Sequence, residues 1–488
     1  MAISFNSLPA NLRTPGVYIE FDNTLAAAGS QGFKMLAIGQ RLITGTVAEG
    51  VPTLVTTKED AATFFGAGSM LATMITFMLA ANTRIELWAI ALDDLAAGVT
   101  ATGTITASTV PTAAGTLNLY IGGVRIQVAV ASTDTTDNVA TNIAAAITAS
   151  TDVPVSAVVN GVTTNQVDLT AKHKGDVGND IDLRDSYYAE KLPAGLTLTY
   201  GAMAGGAGNP DLTIATAAMA DEWYNWIACP YTDAANLLVL TTELDNRWGP
   251  LQQIDGRAFI AVRGSLAVSS TFGNSQNNPH LTCLGTNTAP QLPYVWAAVN
   301  CAVAAGSLAI DPARPLQTLV LKGLLPPARE IRWVQSERNI LLYDGIATYT
   351  VDNTGLVRLE RQITTYQKNA AGLDDTSYLD INTPETLSRI RFRQRQLFAQ
   401  RYPRHKLADD GTNYGAGQAV ITPKVAAGEL LALFREFEEA GWCENYDNYK
   451  ATLISERDGV DPNRLNYRDS PDLVNQLRVV AGKTEFVV

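Results

Sequence analysis

Few residues in this 488-residue sequence are of the types that carry chemistry. It has three histidines and four cysteines. His173, His280 and His405 lie over a hundred residues apart, and none falls in HxxxH or HExxH spacing. His280 is close to Cys283, but one Cys and one His do not complete a metal site. His173, within KHKG, reads as a surface turn residue. Cys229, Cys283, Cys301 and Cys443 include no CxxC and read as small buried hydrophobes. No metal, cofactor or disulfide framework is therefore expected. Gly482, Lys483 and Thr484 resemble the tail of a phosphate-binding loop. Position 477 is a leucine where that loop needs a glycine, so backbone amides cannot wrap a phosphate. No GxSxG elbow supplies a nucleophile. Asp374, Asp375 and Asp380, and Asp176, Asp180 and Asp182, form carboxylate groups without calcium-loop spacing, and solvated turns are their plainer reading. Paired carboxylates for sugar hydrolysis stay open, because their separation is set by the fold.

Two helices near the C-terminus carry more content. Thr383 and Pro384 signal a helix start, with Thr as N-cap and Pro at the first helical position, running to Tyr402. Leu387, Ile390, Leu397 and Phe398 form its apolar stripe. Arg389 and Arg393 point to the opposite face, and Arg391 and Arg395 flank the stripe. Thr422 and Pro423 repeat the signal before a helix through Trp442. It buries Leu430, Phe434 and Phe437 and displays Glu429, Glu436, Glu438 and Glu439. Either these are solvated faces, or one docks on a partner of opposite charge.

The elements that must position these residues fall into three blocks. Strands at 33–39 and 84–91 alternate with helices at 57–65 and 69–81, an α/β layer pattern. Residues 98–210 then turn rich in Thr, Ala, Gly and Val. They hold short strands at 104–106, 117–121, 124–130, 155–159 and 167–170, a helix near 136–149 capped by Asp134 or Thr135, and a Gly122-Gly123 hairpin turn. The α/β pattern resumes with strands at 223–229 and 258–262 and helices at 233–247 and 292–308. This makes 98–210 a β-rich inserted domain in a middle domain of 21–97 and 211–330. A third block, 331–472, is expected to be α+β, opening with a hairpin of 340–343 and 346–351 about Asp344-Gly345. Residues 356–366 are its next strand. The whole is α/β and α+β, multidomain.

The chain is 46% hydrophobic and only 17% charged, with a net charge of −12. Wholesale disorder is excluded, and a global grip on nucleic acid is not expected. The longest apolar stretch, 70–81, is shorter than the roughly 20 residues a bilayer span needs. The opening residues lack the basic and apolar regions of a secretory signal. So low a charge suits a surface largely covered by partners.

Both ends are strand-prone. An extended arm, 1–20, leads into a strand with Val17, Tyr18 and Ile19. At 473–488 a closing hairpin is expected, its last strand carrying Thr484, Phe486, Val487 and Val488. Unpaired edges of this kind aggregate unless another strand pairs with them; pairing with a neighbouring subunit is strand addition.

Six stretches, taken in order, resemble the contractile tail sheath proteins of Mu-like phages and prophages. They are 13–18 (RTPGVY), 228–233 (ACPYTD), 314–318 with 323–327 (RPLQT, GLLPP), 343–350 (YDGIATYT), the helical region 383–406, and 457–464 (RDGVDPNR). The resemblance covers essentially the whole chain. It implies a non-enzymatic subunit of the virion tail, assembled in the host cytoplasm. Its expected partners are itself in stacked hexameric rings, the tail tube protein, and baseplate and tail terminator proteins, with no nucleic acid and no membrane insertion. It also implies terminal arms that add strands to neighbours, a tube-proximal C-terminal domain and an outermost insertion. Arg389 and Arg393 are then expected to face the tube. The alternatives from other classes are a carbohydrate-active enzyme and a host-surface-binding tail protein.

Overall fold

The computed structural model describes residues 32–415 and 417–487. The arm strand with Val17, Tyr18 and Ile19, and the residue Val488, lie outside the described residues. The first block opens with β1 (Lys34–Gln40), an almost wholly buried strand, and the short β2 (Thr53–Leu54). Helix α1 (Lys58–Phe65) starts where the Thr57 side chain accepts from the Asp60 amide and the Asp60 carboxylate accepts from the Thr57 amide. This reciprocal pair satisfies two donors that have no partner inside the helix. Ser69 caps α2 (Met70–Ala81) in the simpler one-way form, and β3 (Glu86–Leu92) follows.

The insertion holds β4 (Thr100–Ala107), β5 (Gly115–Ile121), β6 (Val124–Val130), α3 (Thr136–Ala149), β7 (Val155–Val159), β8 (Gln166–Lys174), β9 (Leu183–Asp185) and β10 (Leu198–Ala204). They form a four-stranded sheet, β10-β4-β8-β7, and a three-stranded one, β6-β5-β9. Gly122 and Gly123 turn between β5 and β6 with φ of 57° and 85°, the left-handed pair that a tight hairpin requires. Thr135, not Asp134, caps α3. Val99 bridges antiparallel to Ala207, so the insertion leaves and re-enters side by side.

The host then continues with α4 (Thr213–Met219), β11 (Trp226–Ala228), α5 (Ala234–Trp248), β12 (Arg257–Arg263), α6 (Leu266–Asn274), β13 (Leu281–Asn287), α7 (Pro293–Leu308), α8 (Gln335–Tyr343), β14 (Ile346–Val351) and β15 (Val357–Arg361). One eight-stranded sheet results, ordered β15-β14-β13-β12-β11-β1-β3-β2. Strands β14 through β3 run parallel, and only β15 and β2 at the edges are antiparallel. Helix α7 is buried nearly all round, as expected for a helix packed on such a sheet.

Two expectations are corrected here. Residues 340–343 are not a strand but the end of α8. The Glu337 carboxylate accepts from the Val334 amide to start that helix, and Gly345, with φ of 75°, turns the chain into β14. The real hairpin is β14–β15, around the turn where Asp352 accepts from the Thr354 and Leu356 amides. The boundary at 330 also moves. β14 and β15 complete the middle sheet, and Ile346, Tyr349, Leu359, Ile363 and Ile381 belong to the core shared by the middle domain and the insertion.

The remaining block begins with α9 (Asn382–Arg401). It starts two residues earlier than expected, from Ile381, which makes Pro384 the third helical residue rather than the first. Proline fits there because the first four amides have no intrahelical partner. After the short parallel pair β16 (Lys406–Leu407) and β17 (Val420–Ile421) comes α10 (Pro423–Glu439), capped by Thr422 as expected. Then follow β18 (Cys443–Glu444), α11 (Tyr446–Thr452), β19 (Ile454–Arg457), β20 (Leu465–Arg468) and β21 (Asp472–Leu473). Ile390, Leu397, Leu430, Leu433, Phe434 and Phe437 make a second, smaller core. Among the described residues the expected closing hairpin is not formed. Only β21 pairs, with β18, and 474–487 has no regular structure. No helix among the described residues is long and apolar enough to cross a membrane.

Candidate functional site: the interdomain joint and the exposed C-terminal segment

The two cores meet along α9, and polar side chains from its first half make the joint. Pro384, Ser388 and Arg391 reach the N-terminal end of β12. Arg257 is buried and donates to the carbonyls of Gly256 and Pro384, both at 2.7 Å. Its Nε lies 3.5 Å from the Glu385 carboxylate. Ser388 and Arg391 both donate to Asp255, and Arg391 also donates to the Trp248 carbonyl at 2.7 Å. The guanidinium groups of Arg257 and Arg391 both lie over the Trp248 ring, at 5.0 and 4.3 Å, and the His280 ring is tilted against it at 4.9 Å. Burial pushes Glu385 up to about 7, against the pull of Arg257 and Arg389. Burial and two neighbouring cations, Arg257 and Arg391, push His280 down to about 2. The imidazole is thus held neutral and is no acid or base for neutral-pH chemistry.

Arg389 closes the joint on its other side. It donates to the carbonyls of Leu308 and Ala309, at 3.3 and 3.2 Å, where α7 ends. Helix α7 has no basic residue in its own last turn, so Arg389 supplies the cation that the negative end of the helix favours. Its guanidinium also lies over the rings of Phe33 and Trp442, at 4.7 and 5.7 Å.

The charged faces of the two long helices find each other. Arg393 pairs with Glu436 at 2.5 Å and Arg401 with Glu429 at 2.5 Å, while the Tyr402 hydroxyl donates to Glu429 at 2.7 Å. Of the two arginines expected to face the tube, Arg389 is spent on the joint and Arg393 on α10. Arg393 keeps 35% of its side chain exposed.

Beyond β21 the chain crosses back to the middle domain. Arg478 pairs with Asp380 at 2.8 Å, which also holds Arg361 of β15 at 2.8 Å. From there it is open: Val479 is 80%, Phe486 83% and Val487 99% exposed. Thr484 is also exposed, and among the described residues no strand pairs with it or its neighbours. In the C-terminal domain, β19 and β20 form a two-stranded sheet with no third strand among the described residues.

The other chemistry-bearing residues are absorbed by structure. The four cysteines are buried and free. His173 is not in a turn. It lies on β8, its ring bonded to Asp94 and Met70. Asp182 binds Arg184 and Arg263, and Asp375 accepts from Tyr366. Among the described residues, no three His, Cys, Asp or Glu side chains are placed to hold a metal. Sequence reasoning missed Asp255, Arg257 and Glu385. Two of its signals were present, a charge inside a strand and an acid in the first turn of a helix, but not their pairing.

The site is thus a joint of interlocked charge pairs beside an exposed, strand-prone C-terminal segment. Among known proteins, the phage tail sheath protein central domain matches residues 205–365, and the phage tail sheath C-terminal domain matches 374–487. The Mu-like prophage FluMu tail sheath protein of Haemophilus influenzae is 46% identical over 491 residues, with both chains fully covered. This chain belongs to the phage tail sheath protein family, a component of the virion and not an enzyme. Solved sheath tail proteins of Desulfitobacterium hafniense (13% identity, TM-score 0.49, covering 94% of this chain and 100% of that one) and Listeria innocua (11%, 0.48, 92% and 98%) are similar over most of its length.

Proposed function

We propose that the chain is the subunit of a contractile sheath, stacked as hexameric rings in a helix around the tail tube. A head-to-tail contact that does not close generates such a helix. In this reading the extended sheath is metastable, trapped by a barrier rather than by equilibrium. Triggering at the baseplate lets subunits rotate as rigid bodies into larger contacts, which drives the tube through the host envelope for genome ejection. Assembly takes place in the host cytoplasm, with the tube, baseplate and tail terminator proteins as further partners.

The observation that carries this reading is the open segment 484–487. Thr484, Phe486 and Val487 are strand-prone, exposed and unpaired, and the lone β19–β20 pair is a receptor of matching kind, since two-stranded sheets are marginal alone. Strand addition between subunits satisfies both. The N-terminal arm, with Val17, Tyr18 and Ile19, makes the second link, and Val488 extends the C-terminal one. The arms act as hinges, so that rings shorten without parting. The joint around Arg257 and Arg389 supports movement of the middle and C-terminal domains as one body. The C-terminal domain faces the tube, with the partly exposed Arg393 on the side toward it and Arg389 held in the joint, and the insertion lies outermost.

Deleting 484–488 tests the arm. A folded protein that no longer forms tubes in negative-stain micrographs is expected. Normal tubes from the deleted chain overturn the arm assignment.

A further inference from the structure

Among the contacts that fasten the insertion to its host, such as Asp182 with Arg263 and Tyr187 with the Pro326 carbonyl, one rests on Asp94 and His173. Asp94, just past β3, accepts from the Gln40 side chain at 2.7 Å and from the Lys174 amide at 3.0 Å. It also meets Nδ1 of His173 at 3.0 Å. The other ring nitrogen, Nε2, accepts from the Met70 amide at 3.0 Å. That amide belongs to the first residue of α2, has no partner inside the helix, and is buried with Met70, 3% exposed. Accepting at Nε2 fixes the tautomer: the proton sits on Nδ1 and is donated to Asp94. One neutral imidazole thus spans β8 of the insertion, the end of β3 and the start of α2.

We infer that His173 is a proton-gated clasp between the insertion and the middle domain. A second proton has only Nε2 to take. It places an N–H against the Met70 N–H at the positive end of α2, so that bond must break. The buried Met70 amide then loses its only partner, while the contact to Asp94 is kept as an ion pair. Among the described residues His173 is the acceptor that the Met70 amide uses, and the neighbouring charged groups are engaged elsewhere, with the buried Tyr231 phenol in electrostatic reach of Asp94. The first turn of α2 has no acid. Lys172 and Lys174 are turned away, onto the carbonyls of Thr151 and Ala96. Asp180, in the turn Asp176–Asp180, interacts with Arg263 and Asp176. The small cavity beside the ring is lined by Met70, Ala171, Val177, Ile181, Leu292 and Tyr294, of which only the Tyr294 phenol titrates. Acid therefore frees the first turn of α2 from β8 and loosens the insertion on its seat, leaving the sheet itself untouched.

Amide hydrogen exchange of the full chain from about pH 8 to about pH 5, where histidines change charge, reads this directly. Corrected for intrinsic rates, protection at Met70 should fall by about fivefold or more toward acid, as a lost hydrogen bond implies. Protection across β1 and β12 should hold. In His173→Gln the amide oxygen can still accept from Met70 and does not titrate, so the drop should vanish. Should that variant fail to fold, the ring nitrogen shifts of the native protein decide. A neutral ring protonated on Nδ1 at pH 8 that gains its second proton as Met70 loses protection supports the clasp. Equal pH dependence in both proteins, or a ring protonated on Nε2 at pH 8, overturns it.

Discussion

The guanidinium of Arg389 lies over the ring of Phe33, 4.7 Å from its centroid, and so ties the entry to β1 to the long helix of the C-terminal domain. The same side chain caps the end of α7 through Leu308 and Ala309. Three segments distant in sequence thus share one cation. Arg389→Ala removes two charge-assisted bonds and two ring contacts, and should cost about 1–3 kcal/mol. Urea unfolding should show this as a lower midpoint, with the C-terminal core melting ahead of the sheet. Arg389→Lys keeps the charge but not the fork, and should recover only part of it.

Glu385 makes the joint sensitive to pH in a defined direction. Burial lifts it from 4.5 to about 7 in the folded chain. The fold therefore holds its proton more tightly than the unfolded chain does. Its contribution to stability is full below 4.5 and is lost as the pH rises through about 7. Glu385→Gln, neutral at every pH, should flatten that decline. The check is the melting temperature at a series of pH values across the interval. An unchanged slope in the variant would show that Glu385 is not its source.

Gly273 is the place where α6 meets the end of α8. A Cβ there would lie 1.9 Å from the Asp344 carbonyl oxygen and 2.8 Å from Ile346. The obstacle is backbone, which cannot swing aside. Gly273→Ala should destabilise by about 1–3 kcal/mol or more, as overpacking does. Gly428→Ala, on α10 with open space around it, should instead be neutral or slightly stabilising, since alanine is the better helix former. Parallel denaturation of the two variants separates crowding from propensity.

The contrast at Gly273 also shows what could be read from the chain and what could not. Caps are local chemistry, so Thr422 marked its helix correctly and the pair Asp134 and Thr135 held the cap of α3, although Thr383 did not cap α9. Gly122-Gly123 marked its hairpin for the same reason. The run 340–343 fits a strand as well as a helix turn; packing of α8 on α6 and β14 decides it. Strand β13 was not read at all, because burial on both faces leaves Thr282, Cys283 and Gly285 without alternation. The joint was illegible in principle. Asp255 and Ser388 are 133 residues apart, and nothing in spacing pairs them. The open segment 484–487 was legible as strand-prone, but no hairpin partner for it is formed among the described residues.

Arg393 and Glu436 let the helix-to-helix pair be separated from any role toward the tube. Both are partly exposed, at 35% and 50%, so their pairing should be worth only about 0.2–1 kcal/mol in a double-mutant cycle. Arg393→Glu alone places two acids together and should cost a similar amount. Combining it with Glu436→Arg restores the pair and the stability, but moves the positive charge from α9 to α10. If Arg393 faces the tube, the double variant stays as stable as the native chain while co-assembly with tube protein weakens and loses salt dependence. Co-assembly that follows stability alone, with the same response to salt in all three proteins, confines Arg393 to the pair it makes with Glu436.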